Sequence, residues 1–504
     1  MRGLLVAFCF LFYLAVDAVA AQDARPLPSP SGAPFVRAHR SVTTSDVAAQ
    51  RAFDDGLTLL YAFNPDEARR SFERAAHDDP GLAMAWWGIA MSHGVNINTS
   101  FDSAEQRRGR DAIAKSASLA NNAMPVERAL IGAAGKRFAY DRPSDSDRSA
   151  RAYRDAMDAV AATYPADDDV LTLAAEAEMD VHPWSYFTND GQATPGTPRI
   201  IERLQTVLAR DPAHLGANHF VIHALEESPH PEAALAAARR LASDNLEPAA
   251  EHLAHMPAHA FMRSGLYHGA GDANARAIEM YRTYLAGDPA GHSDYFAHDC
   301  TFGVDAYMMS GEYAAARRLA TVCARGTVGM GPLVDLRFRR WDALANDGTT
   351  TDLGAGMLAA RDAHFDAAAT HLGHLRASGG DVGTILAALV TARVAQTKGD
   401  PDAEIAALKV AVAKQDGFGY SEPPTFWYPV RETLGGAYYR AHRYADAERT
   451  FRDDLVRNPD NPRSLFGLAR TLEAQGRAND AHAVQLRFAK AWEKADVALD
   501  MKDL

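Results

Sequence analysis

The stretch GGAYYRAHRYADAERTFRDDLVRNP, residues 435–459, decides the fold. Within it Gly435, Ala447, Phe451 and Pro459 are spaced by 12, 4 and 8 residues. Gly56, Ala68, Phe72 and Pro80 repeat those intervals near the other end of the chain. Ala469 and Ala481 follow Gly435 and Ala447 by 34 residues. A fixed period of this length, with small and aromatic residues in register, marks a repeated two-helix unit. Each residue has a physical task. A small residue on the first helix lets the second approach closely. Ala and Phe on the second helix fill that contact, and Pro stops the helix.

This is the tetratricopeptide pattern. Tyr438 and Trp86 hold a further first-helix place, and degenerate copies fill the middle of the chain. Gly265-x-Tyr267-x-x-Ala270 and Gly311-x-Tyr313-x-x-Ala316 mark two hairpin turns 46 residues apart. Residues 168–180 read as a first helix and 228–241 as a second. Strand signals are sparse, because alanine is dense and β-branched runs are short. The expected fold is all-α: a tetratricopeptide-like helical-hairpin solenoid over 46–495. It has His-rich central repeats at 168–325, regular C-terminal repeats at 426–495 and a tail at 496–504. Irregular insertions are expected at 94–122, 183–212 and 286–292, with 186–197 covering the inner face.

Composition narrows the function classes. The 504 residues are 47% hydrophobic and 23% charged, an ordinary globular balance that argues against disorder. The net charge of −13 disfavours nucleic acid and anionic lipid as partners. Three cysteines exclude a disulfide framework and a four-thiolate zinc site. Arg2, the apolar run 3–16 and the small residues Ala18-Val19-Ala20 read as a cleaved export signal over 1–21. Residues 22–45, with four prolines, read as a linker. No later run is long and apolar enough to span a membrane. The expected location is therefore exported, most simply periplasmic. Cys300 and Cys323 fall at places that pack together, either as a disulfide or as two buried thiols.

Histidine is concentrated in one window. Of 19 histidines, ten lie between positions 214 and 298, where even scatter would put about three. His219, His223 and Glu226 share one helical face within about 60°. His252, His255 and His259 do so within about 60°. The repeat register turns both triplets toward the concave side of neighbouring first helices. Glu176 from the preceding unit, and His298 and Asp305 from the following one, join them. Imidazole and carboxylate converging from adjacent helices suit a transition metal: zinc, copper, iron or manganese. The expected ligands are His219, His223, Glu226, His252, His255, His259 and His298. Six histidines shared between two ions would suit copper. Glu176 or Glu226 would be the catalytic base if the centre hydrolyses. Glu422 and Arg431, in the stretch 420–435, either hold a substrate, Arg431 through a carboxylate, or belong to a structural entry to the last repeats. His182, Pro183 and Trp184 are expected to roof the site. His364, His371 and His374 share another helical face and read as solvated.

The stretches AWWGIAMSHGVNIN (85–98), AEAEMDVHPW (175–184), ANHFVIHALEESPHP (217–231), HLAHMPAHAF (252–261) and YSEPPTFWYPVRETLG (420–435) are more specific than the repeat pattern. Through them the chain resembles a group of exported bacterial tetratricopeptide-repeat proteins. The resemblance implies an α-solenoid and carries no activity with it. The functional expectation is an exported repeat protein with a His/Glu metal site in its groove, acting as a hydrolase or oxidase on a small molecule. The alternatives are a scaffold holding a peptide or protein partner in the groove, and a metal storage or delivery protein.

Overall fold

The structure, a computed structural model, describes residues 34–324 and 330–504. The export signal expected at 1–21 and the first part of the linker lie outside the described residues. Among the described residues there are 25 α-helices and five 3-10 turns. The only β-pairing among them is one antiparallel bridge, Phe187 to Ala193. Successive helices pack as antiparallel hairpins along the chain. The first hairpin is Val47–Tyr61 with Pro65–Asp78, and the last is Pro462–Ala474 with Ala478–Ala491.

The hairpin contact is the one the period implies. Phe72 is fully buried between Gly56 and Gly88, on the first helices of two successive units. A Cβ on those glycines would lie 2.7 and 2.3 Å from the Phe72 ring. Phe451 sits likewise between Gly435 and Gly467, where a Cβ would lie 2.5 and 2.2 Å away. One aromatic side chain thus wedges two units together, and only glycine leaves room for it. Helix starts are capped where the sequence offers short polar residues: Asp46, Asn64, Asp102, Asp167 and Asn461 accept from first-turn N–H groups.

Two of the expected insertions are hairpins with long turns. Residues 94–122 hold the second helix Ser103–Leu119, and 183–212 hold the second helix Thr197–Arg210. The polar, Gly- and Pro-rich turns obscured helices that carry their own amphipathic pattern. The expected linker is anchored over its described part. Val36 N–H donates to Asn245 O at 2.9 Å, and Arg40 grips Asp167 at 2.8 and 3.0 Å. The expected tail is docked too, with Leu504 buried against Gly436. No described helix is long and apolar enough to cross a membrane.

The solenoid folds back on itself, and this positions the site. Arg70 of the first hairpin pairs with Asp288 at 2.6 Å, beyond the helix Tyr267–Gly287. Tyr267 in turn donates to Pro459 O at 2.8 Å. The first-helix faces that carry His219, His223, His252, His255 and His259 are buried. The C-terminal end of Val47–Tyr61 lies against the central histidines.

Candidate metal centre

The helix Leu215–Glu226 is buried on every side, as expected of a helix enclosed by neighbours. It carries His219, His223 and Glu226. The next first helix is broken into Glu251–His255 and Pro257–Arg263. Pro257 has no N–H to continue the ladder. The break separates His252 and His255 from His259. His298 comes from Phe296–Ser310 in the following unit.

All six expected histidines come together, in a grouping the sequence did not show. They form two trios: His219, His223 and His252, then His255, His259 and His298. In each trio one ring nitrogen per residue lies within 4.8 Å of the other two. The trios abut, with the His223 and His259 rings 5.6 Å apart and those of His252 and His255 5.7 Å apart. Five of the six histidines are at most 3% exposed.

The acceptors behind the rings fix which nitrogen points inward. His219 Nδ1 donates to Tyr61 O at 2.6 Å. A carbonyl only accepts, so this nitrogen carries the proton and Nε2 keeps its lone pair. His255 Nδ1 faces Asn274 Oδ1 at 2.7 Å, while the Asn274 amide nitrogen donates to Ala270 O. Glu226 stands behind both trios, with Oε1 3.0 Å from His223 Nδ1 and Oε2 2.6 Å from His259 Nδ1. Both Glu226 oxygens are thus turned to imidazoles of the two trios. Orientation of a ligand histidine through its outer nitrogen is the usual support of a metal site.

The inner nitrogens are the informative ones. His255 Nε2 lies 2.8 Å from His259 Nε2 and 3.2 Å from His298 Nε2. Bonds of 2.0–2.1 Å at tetrahedral angles would put ligand nitrogens about 3.3 Å apart. At these distances a ring N–H of one histidine donates to the lone pair of the other, or a metal ion takes the place of that proton. In the other trio, His219 Nε2, His223 Nε2 and both nitrogens of His252 are buried with no hydrogen-bond partner. Burying such groups without a partner costs about 1–3 kcal/mol each.

Electrostatics favour neutral rings. Burial, reinforced by neighbouring imidazoles, pushes His219, His252 and His255 well below the usual histidine range, and His298 down to about 3. His223 is lowered by burial against the pull of Glu226. His259 is the exception: burial lowers it, but the Glu226 carboxylate outweighs burial and raises it. Burial pushes Glu226 up, but His259 and His223 pull it down to about 2. Neutral imidazole is the metal-binding form.

The surroundings close the centre. Trp184, expected as a roof, sets its ring edge-on to His223 at 5.3 Å, and its indole N–H donates to Ile97 O. Tyr295 stacks on His252 at 3.9 Å, and Phe63 meets His219 at 4.5 Å. Tyr61, Phe63, Asn274 and Tyr295 were not foreseen. They come from units whose approach depends on the closure of the solenoid, and no local spacing marks them.

The other expected residues are placed differently. Glu176 is buried in a pair with Arg137, at 3.1 Å, and Arg137 also holds Asp180 at 3.1 Å. Its bonding is therefore to an arginine and not to the histidines. Arg431 spends both guanidinium arms on Asp416, so it is not free to take a substrate carboxylate. Glu422 and Arg431 do line a common cavity of about 660 Å³. His371 and His374 share Asp352 of the helix Asp352–Arg361, at 2.7 and 3.0 Å, in a more open setting than the buried trios. Cys300 and Cys323 are bonded, with Cα atoms 5.8 Å apart.

No family model matches the chain, and no curated protein matches it. Among solved structures it is similar to yeast Tom70, at 10% identity over 90% of this chain and 94% of that one, with a TM-score of 0.27. It is also similar to the P58(IPK) TPR domain, at 12% identity over 85% and 99% of the two chains, with a TM-score of 0.23. A third is the Cut9–Hcn1 hetero-tetramer of APC/C, at 16% identity over 90% and 76%, with a TM-score of 0.29. These overlays are too loose to carry an argument; the helical-hairpin, tetratricopeptide-like architecture rests on the chain's own helices and their Phe–Gly contacts.

Proposed function

We propose that this is an exported metalloprotein that binds two transition-metal ions, one in each histidine trio, and uses them on a small organic substrate. One observation carries the reading: inner imidazole nitrogens converge in two groups of three, while the outer nitrogens of four rings are directed to acceptors. All-imidazole donor sets suit copper or zinc better than manganese or iron, which favour carboxylates. When bound, such ions supply Lewis acidity or, for copper, redox chemistry.

The protein's own residues set the rest. Glu226, Tyr61 O and Asn274 hold ring orientation, Trp184 and Tyr295 exclude water, and the cavity beside Glu422 admits substrate. An oxidase is favoured over a hydrolase, because Glu176 is committed to Arg137 and Glu226 to two imidazoles. The N-terminal apolar run and the Cys300–Cys323 bond support export to an oxidising compartment. A peptide scaffold has less support, because the face expected to be open is buried. Storage is disfavoured because the donors are imidazole and not thiolate or thioether.

The test is metal stoichiometry after reconstitution with copper or zinc. Wild type should take two equivalents, His223→Ala or His255→Ala one, and the double variant none, with helicity retained in each. Full metal retention in the double variant would sink the reading.

A further inference from the structure

The cavity of about 660 Å³ adjoining the centre is lined on one side by the rings of Phe418, Tyr420, Phe426, Trp427 and Tyr428. Its cationic side chains are already engaged. Arg431 holds Asp416 with both arms, and Arg457 lies 3.8 Å from the same carboxylate. Arg263 donates through Nε to Glu226 O and rests its guanidinium 5.4 Å over the Tyr420 ring.

Of the carboxyls that line the cavity, Glu422 is the one with an oxygen left over. Glu422 accepts one hydrogen bond, from Tyr420 Oη at 3.2 Å, and its Oε2 is buried with no partner. Burial, with the charge of Glu226, pushes the Glu422 carboxyl up to about 7 against the pull of His259 and Arg263. The cavity thus has beside it a carboxyl oxygen without a partner, which a bound cation would hold in its charged form, next to π faces that attract cations. The net charge of −13 adds a field of the same sign.

We propose that this cavity binds an organic ammonium ion, its nitrogen on Glu422 Oε2 and its apolar body along the aromatic wall. A primary amine supplies the donors and the positive charge that the Glu422 carboxylate accepts. Trp427 Nε1, also buried without a partner, would meet an oxygen on the same ligand. That the bound amine is the substrate rests on the metal-centre reading; amine binding itself does not need the ions.

The test uses the full processed chain without metal and three similar probes: phenethylamine, 2-phenylethanol and phenylacetate. Calorimetry and tryptophan fluorescence should show saturable binding of the amine. The alcohol should bind at least about tenfold more weakly and phenylacetate should not bind, as loss of a charged hydrogen bond implies. Glu422→Gln should weaken the amine by about the same factor while still taking two metal equivalents on reconstitution. Phenylacetate binding as well as phenethylamine would overturn the proposal, and so would unchanged amine affinity in a folded Glu422→Gln. If that variant fails to fold, the wild-type ranking of the three probes decides alone. A third metal equivalent that is lost in Glu422→Gln would also overturn it, by assigning this carboxyl to a metal. Amine binding without metal uptake would instead remove the metal-centre reading and leave this one standing.

Discussion

The C-terminal hairpins and the central ones are built alike and spend their buried polar groups differently. Around Val430–Arg440 and Pro462–Ala474 the interior charges answer one another. Glu432 takes Arg337 and, at 3.0 Å, Arg463, while Asp454 takes Asn461 at 2.7 Å and the Ser464 hydroxyl. Around Leu215–Glu226 and Glu251–His255 the inner nitrogens of the first trio answer nothing in the protein. A regular repeat satisfies its interior for stability. Where one accumulates acceptors with no donors, local consistency has been given up, and such breaks concentrate at functional sites.

The contrast can be broken at several points. The largest effect belongs to the aromatic wedge. Phe451→Ala, and equally Phe72→Ala, should cost about 3–5 kcal/mol, because the cavity left between two units cannot collapse onto glycine. Urea unfolding measures it, and a loss under about 1 kcal/mol would show that the wedge is not what holds the units. In the central region the expectation is reversed. His252→Leu fills similar volume and removes two unpartnered nitrogens, so the metal-free protein should change by no more than about 1 kcal/mol or gain stability. The same variant should lose the ion of its trio. A loss of stability in the metal-free protein as large as that of Phe451→Ala would mean that His252 is structural.

The smallest effect is one of pH. Burial, with the charge of Glu432, raises Asp454 from 3.8 to about 7 against the pull of Ser464 and Asn461. The folded state therefore holds a proton that the unfolded chain has released. This contribution is fully present below pH 3.8 and is lost as pH rises through about 7. Stability measured at pH 5 and pH 8 should fall across that interval by less in Asp454→Asn than in wild type. An equal fall would assign the slope to other groups.

Much of this was legible in the sequence, for definable reasons. The period fixed the hairpins because Gly435 and Phe451 must meet whatever else happens, and local spacing records that meeting. The six histidines were legible because i, i+3 and i+4 positions share a face. Their grouping was not legible: Pro257 breaks the helix between His255 and His259, and His298 arrives from another unit. Glu176 and Arg431 were assigned roles from residue type and register alone. Each found a partner, Arg137 and Asp416, that only the packing of separate elements supplies. The two apparent insertions concealed the helices Ser103–Leu119 and Thr197–Arg210, because long polar turns shift the register between units.

The most direct test of the central claim is elemental analysis of the mature protein, produced with its own signal and without a histidine tag. The account predicts two equivalents of copper or zinc per chain. A protein that carries none, and takes up none on reconstitution with either ion, would contradict it.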